Sequence, residues 1–127
     1  MPLVRISLLE GKPESYITKV GDAVHRALVE TISIPAQDRF QIITEHNKSH
    51  FVYDPEYLKI HRTDDLIIIQ ITLSQGRSLE VRKALYRRIV ELLAQEIKLR
   101  PEDVFVNLVE VAKENWSFGN GEAQYAT

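Results

Sequence analysis

The feature that most constrains the fold of this chain is an internal repeat. A shift of 65 residues places Gly11 on Gly76, and the two halves then align without a gap over about forty positions. The matching pairs include Ile6 with Ile71, Leu8 with Leu73, Leu28 with Leu93, Ile32 with Ile97, Asp38 with Asp103, and Phe40 with Phe105. Because these matches fall in strand, turn and helix positions alike, they indicate that residues 2–46 are duplicated as residues 67–111.

Each half predicts a strand, a helix and a second strand. Strands are predicted from runs of aliphatic and β-branched residues at Leu3–Leu9, Phe40–Glu45, Leu66–Leu73 and Val104–Val111. Apolar residues at three- and four-residue steps predict a helix between Pro13 and Pro35 and another from the N-cap Ser78 to Pro101. The segment between the halves is polar and irregular, and its run Phe51–Tyr53 predicts a short extra strand.

This order predicts an α+β fold within a single domain, residues 1–127. Two βαβ units with right-handed crossovers give a four-stranded mixed sheet that carries both helices on one face. The run Leu66–Leu73 has few polar positions, so we expect the other face of the sheet to be apolar. A face of that kind on a small protein predicts burial against copies of the same chain, and therefore a homo-oligomer.

Composition excludes several classes of function. The formal net charge of −2 over 127 residues gives no electrostatic reason to expect nucleic acid or an anionic membrane as a partner. The chain has no cysteine, and its longest apolar run, Leu66–Ile69, is too short to span a bilayer. His46 and His50 have a spacing that would suit metal ligands on a helix, but their segment does not have a helical pattern. We therefore expect a cytoplasmic domain without a metal or other cofactor.

The amino terminus is the candidate catalytic feature. Pro2 directly follows Met1, and removal of the methionine would leave a free secondary amine on a φ-locked ring at the start of a strand. An α-amino group titrates near pH 8, so it can give or take protons near neutral pH.

Several segments in register resemble one family. They are Met1–Leu3, Leu9–Gly11, Pro35–Phe40, Arg77–Ser78 and Trp116–Gly119, which together span nearly the whole chain. With the duplicated βαβ unit, they resemble the tautomerase superfamily, and within it the malonate semialdehyde decarboxylase-like proteins. The resemblance implies a tautomerase fold, a homo-oligomer in the family's usual form of a trimer, a small carboxylate-bearing substrate and no cofactor.

The resemblance also implies roles for individual residues. It makes Pro2 the general acid or base, Asp38 the active-site aspartate and Arg77 the arginine that binds the substrate carboxylate. The implied aromatic wall consists of Trp116, Phe118 and Tyr125. From the residues alone, Asp38 could instead cap a turn, and the aromatic residues could instead pack in a subunit interface.

One position departs from the decarboxylase pattern. Decarboxylases of this type have a second arginine two positions before the one that matches Arg77, and here Gln75 occupies that place. An amide would hydrogen-bond the substrate but supplies no positive charge. We therefore favour keto–enol tautomerisation of a small 2-oxo acid, an isomerase reaction, over a decarboxylase or hydratase (lyase) activity. A non-catalytic homo-oligomer of the same fold remains the further alternative.

Overall fold

The computed structural model describes residues 1–126 of the chain. Its strands are β1 (Leu3–Leu9), β2 (Gln41–His46), β3 (Ile67–Ser74) and β4 (Val104–Val111), and its helices are α1 (Glu14–Ile32) and α2 (Leu79–Ile97). Single 3₁₀ turns lie at Lys48–His50, Tyr57–Lys59, Pro101–Asp103 and Lys113–Asn115. These elements confirm the predicted α+β fold, with strand ends that differ by one residue at β2 and β3.

The four strands form one mixed sheet in the order β2-β1-β3-β4. Each βαβ unit pairs its own two strands in parallel, and β1 and β3 join the units as an antiparallel pair in which Leu3 lies opposite Thr72. This junction brings the start of β1 next to the end of β3, and the candidate site lies there.

Both helices pack on one face of the sheet, as predicted. Alternate residues of β1 and β3, including Ile6, Ile69 and Ile71, are fully buried under the apolar stripes of α1 and α2. The Ser78 side chain caps α2 by accepting a hydrogen bond from the Val81 amide at 3.2 Å. Among residues 1–126, neither helix combines the length and the apolarity needed to cross a membrane.

The duplication is visible in the backbone geometry. Both helices contain 19 residues, and the glycines before them have matching left-handed φ values, 116° at Gly11 and 119° at Gly76. The amide of Glu10 donates to the carbonyl of His46 at 2.9 Å, and the amide of Gln75 donates to the carbonyl of Val111 at the same distance. The two halves are therefore copies in structure as well as in sequence.

The predicted short strand at Phe51–Tyr53 is wrong. These residues join no strand of the sheet, and Phe51 is held instead by packing. Its side chain is 7% exposed, and its ring stacks on His46 at a centroid distance of 5.7 Å. The apolar pattern of this segment therefore reflects burial of an aromatic anchor, which periodicity alone does not distinguish from a strand.

The prediction that the second face of the sheet is apolar is also wrong. The residues of β3 alternate, so that Ile67, Ile69 and Ile71 face the helices while Gln70 is exposed on the other side. There Gln70 donates a hydrogen bond to Asn107 on β4 at 3.1 Å, and Arg5 lies opposite Gln70 on β1. We call this side, without helices, the open face. It combines a polar row with exposed apolar side chains, namely Ile42 on β2 and Phe105 and Val109 on β4.

Candidate active site

The α-amino group of the chain lies in a partly buried, charged environment. The Met1 nitrogen is 3.9 Å from the Asp38 Oδ2 atom, and the side chains of these two residues are 11% and 16% exposed. Burial lowers the pKa of this amine below its usual value, and the positive charge of Arg77 acts in the same direction while Asp38 opposes both. The amine is thus flanked by one negative and one positive side chain.

The sheet register brings these three groups together. Leu3 pairs with Thr72, so the residues before Leu3 run alongside the end of β3, which leads through Gly76 to Arg77. On the opposite edge of β1, the Val4 amide donates to the carbonyl of Phe40 at 3.0 Å, which draws the segment containing Asp38 alongside the amino terminus. Because β1 lies between β2 and β3, the amino terminus lies close to both Asp38 and Arg77.

A pocket of about 640 Å³ opens beside the amine. It is lined by Met1, Ser74, Gln75, Gly76, Arg77, Lys113, Gln124 and Tyr125. The Arg77 Nη1 atom donates to the Ser74 carbonyl at 2.9 Å, which fixes the guanidinium at the end of β3 while leaving its remaining N–H donors for another acceptor. The pocket can therefore accept a small molecule with a carboxylate.

The three predicted aromatic residues form a continuous stack next to this pocket. Trp116 stacks on Phe118 at a centroid distance of 5.4 Å, and Phe118 meets Tyr125 edge-on at 4.7 Å. The Trp116 indole N–H donates to the Ser74 hydroxyl at 3.1 Å and so ties the stack to β3. Of the three, Tyr125 itself lines the pocket.

Asp38 and its duplicate Asp103 differ in their contacts. The Asp103 carboxylate is fully buried and accepts hydrogen bonds from the Thr63 amide at 2.7 Å and the Thr63 hydroxyl at 2.6 Å. The Asp38 Oδ1 atom is buried and has no hydrogen-bond partner among residues 1–126. In both turns the aspartate amide donates to the carbonyl three residues earlier at 3.0 Å, so the two positions differ in the contacts of the carboxylate and not in this backbone hydrogen bond.

Sequence reasoning missed three lining residues, namely Ser74, Lys113 and Gln124. The repeat contains the signal for Lys113, because extending the alignment past residue 46 places Lys48 on Lys113. Gln124 lines the pocket because its side chain folds the tail back, accepting from the Phe118 amide at 3.0 Å and donating to the Gly119 carbonyl at 2.9 Å. No local pattern indicates such a tail contact.

Pro2 is buried at the start of β1, directly after the amine-bearing Met1. With Met1 attached, the Pro2 nitrogen is an amide nitrogen without basic character. Loss of Met1 would transfer the free amine to the φ-locked ring of Pro2.

Comparisons with known proteins agree with this geometry. The sequence profile of a family described as "Tautomerase enzyme" matches residues 38–119, and a second profile with the same description matches residues 2–60. The chain is 46% identical over 124 residues to the Bacillus subtilis (strain 168) protein named "Probable tautomerase YusQ", and the match covers 98% of each chain.

Solved structures give the same result. A malonate semialdehyde decarboxylase inhibited by 3-bromopropiolate superimposes with a TM-score of 0.90 at 38% identity, over 97% of this chain and 93% of that chain. Another malonate semialdehyde decarboxylase, described with decarboxylase and hydratase activities, gives 0.90 at 30% identity over 97% and 95%. A fused 4-OT symmetric trimer shares the fold, with a TM-score of 0.80 at 21% identity over 98% of each chain. This chain belongs to the tautomerase family.

Proposed function

We propose that this protein is an enzyme that converts a small 2-oxo acid between its enol and keto forms, with the Pro2 amine as general acid and base. The observation that carries the proposal is the position of the chain's terminal nitrogen, that of Met1, which lies 3.9 Å from Asp38 and within the influence of the Arg77 charge at the edge of an open pocket. The proposal requires removal of Met1. The family membership of the chain supports it.

Each residue then has a defined part in the reaction. The Arg77 guanidinium binds the substrate carboxylate through two parallel hydrogen bonds and so fixes the carbon atoms next to it. The neutral Pro2 amine accepts the enol hydroxyl proton, and the resulting ammonium delivers a proton to carbon 3 as the C=C electron pair forms the new C–H bond. The net change is the transfer of one proton from oxygen to carbon.

The remaining predicted site residues adjust this chemistry. The Asp38 carboxylate stabilises the ammonium form and so opposes the lowering of the pKa of the amine by burial. Gln75 lines the pocket and offers hydrogen bonds to the substrate. Trp116 and Phe118 reach the pocket through Tyr125, and this stack would limit access of water to the reacting atoms.

A second candidate function is decarboxylation of a 3-oxo acid, with the related hydratase activity. It is favoured by the likeness to the two malonate semialdehyde decarboxylases, at 38% and 30% identity. Gln75 argues against it, because a neutral amide offers a hydrogen bond but no positive charge to the negative charge that develops when carbon dioxide leaves. Release of carbon dioxide from malonate semialdehyde that is faster than any tautomerisation would make this the principal activity.

We further propose that the chain assembles as a homo-trimer through its open face. That face exposes 45% of Ile42 and 44% of Phe105, and the adjoining Phe40 is 54% exposed. Covering apolar side chains of this size with a second copy of the chain removes them from water and stabilises the assembly. Native mass spectrometry should give three times the chain mass, and a monomer at micromolar concentration would refute the proposal.

The catalytic proposal is tested by following phenylpyruvate enol–keto conversion in the wild type, Pro2→Ala and Arg77→Ala. Lys12→Ala is the matched control, because Lys12 is the duplicate of Arg77 but is paired with Asp65 at 2.7 Å. We expect both site variants to lose at least about 100-fold in kcat/KM, the order that general acid–base catalysis contributes, and the control to retain activity. Equal rates in all four proteins would show that neither Pro2 nor Arg77 takes part in the reaction. The absence of turnover in wild type that has fully lost Met1 would favour the non-catalytic homo-oligomer.

A further inference from the structure

The chain reverses its direction in the tail, residues 116–126, beside the candidate site. Residues 119–121 all have positive φ values, of 149°, 60° and 68° in chain order. Two of these three residues are glycines, which adopt such values without strain. The reversal brings Tyr125 back onto Phe118, where the ring centroids lie 4.7 Å apart and Tyr125 forms part of the pocket wall.

Little burial holds the tail in this conformation. Residues 117–126 are all exposed, and even the stacked Phe118 and Tyr125 are 38% and 41% exposed. At the other end of the stack, Trp116 is tied to β3 through the Ser74 hydroxyl. Segments with few buried apolar contacts open at a low cost in free energy, so individual hydrogen bonds decide whether such a segment stays in place.

A single side chain closes the reversal. Gln124 Oε1 accepts from the Phe118 amide at 3.0 Å, and Gln124 Nε2 donates to the Gly119 carbonyl at 2.9 Å. The backbone adds a longer hydrogen bond, from the Glu122 amide to the same carbonyl at 3.3 Å. Because Gln124 immediately precedes Tyr125, the two side-chain hydrogen bonds also fix where the Tyr125 ring lies.

We propose that Gln124 is a positioning residue that holds the tail closed and thereby keeps Tyr125 in the wall of the pocket. This inference rests on the proposed function and adds to it a control of substrate affinity. A side-chain amide is suited to the task, because it carries a donor and an acceptor on one rigid plane and meets one backbone group of each kind here. Without these hydrogen bonds the tail releases the aromatic stack.

Release of the tail has a kinetic signature. A substrate that binds only to the closed form has its apparent affinity reduced by the fraction of molecules that are closed. Once the substrate is bound, the tail is closed again and the reacting groups keep their geometry. Removing the Gln124 hydrogen bonds should therefore raise KM more than it lowers kcat. General damage to the fold would instead lower kcat and leave KM unchanged.

The experiment uses Gln124→Met, which keeps the length of the side chain and removes both hydrogen bonds. Trp116 is the only tryptophan of the chain, so its indole N–H gives one NMR signal that reports on the far end of the stack. Exchange of this hydrogen with solvent should be at least about fivefold faster in the variant, the factor that loss of one net hydrogen bond gives. For phenylpyruvate conversion, KM should rise at least about threefold while kcat falls less than about twofold.

Glu122→Gln is the matched control, because Glu122 is exposed in the same reversal and does not line the pocket. It should leave indole exchange, KM and kcat unchanged, and an effect equal to that of Gln124→Met would overturn the inference. Unchanged indole exchange in Gln124→Met, or a loss of kcat without a rise in KM, would overturn it as well. If wild type that has lost Met1 shows no turnover while Gln124→Met still speeds indole exchange, the proposed function alone fails. Normal turnover with no difference between Gln124→Met and wild type would refute the role of Gln124 alone.

Discussion

The Asp38→Asn substitution should lower the pKa of the terminal amine, because it removes the negative charge that favours the ammonium form. Two unit charges 3.9 Å apart attract by about 1 kcal/mol in bulk water and about 4 kcal/mol at an effective dielectric constant near 20. Because the amine is only partly buried and solvent screens part of the attraction, the pair lies between these limits. Without Asp38, burial and Arg77 remain, and both favour the neutral amine.

The assay is an NMR titration of the ¹⁵N-labelled terminal amine. It is first applied to chains that retain Met1, produced with the methionine aminopeptidase inhibited, because the measured distance refers to the Met1 nitrogen. Glu14→Gln removes an exposed carboxylate beyond the far end of β1 and serves as the control. A pKa that is the same in Asp38→Asn, Glu14→Gln and wild type would refute the electrostatic reasoning.

The same substitution should also shift the pH dependence of the reaction in processed protein. A base works in its neutral form, so a lower amine pKa moves the acidic limb of the kcat/KM profile to lower pH. A profile that does not move while the pKa of the amine does would show that the amine is not the base.

Two further predictions concern the rest of the molecule. Asp103→Ala should lower the free energy of unfolding, measured with urea, by about 2 kcal/mol, because the part-buried amide and hydroxyl of Thr63 lose their acceptor. A loss below about 1 kcal/mol would contradict this. The hydrogen bond to Asp64 raises the pKa of Tyr53 to about 12, so its stabilisation is complete below about pH 10 and lost toward pH 12. In an ultraviolet titration, Tyr53→Phe should therefore remove the phenol that ionises last, and removal of an earlier one would refute the assignment.

The fold could be predicted because each half of the chain has the same strand–helix–strand pattern in its sequence. Periodic apolar residues identified both helices, and the N-cap at Ser78 fixed where α2 begins. The open face could not be predicted in the same way, because the polar row depends on which strands are neighbours. In the sequence, Gln70 is a single polar residue within an apolar run. In the structure, Asn107 on β4 lies beside it and accepts its hydrogen bond.

Sequence reasoning named Pro2, Asp38 and Arg77 as the catalytic candidates, and their roles stay predictions. In the structure the terminal nitrogen beside Asp38 is that of Met1, at the β1–β3 junction, where the charge of Arg77 also acts on it. Lys113 was missed because it stands in a polar turn just beyond the aligned positions of the repeat, and the structure shows that it lines the pocket at the end of β3. The repeat aligns Asp38 with Asp103 and therefore could not predict that their carboxylates make different contacts.

The central claim is that the reaction depends on a free amine at Pro2, and one comparison tests it most directly. Preparations with graded fractions of retained Met1, quantified by intact-protein mass spectrometry, are assayed for phenylpyruvate enol–keto conversion. The account predicts turnover proportional to the fraction of chains that begin at Pro2, extrapolating to zero when every chain keeps Met1. Undiminished turnover from chains that all retain Met1 would contradict it.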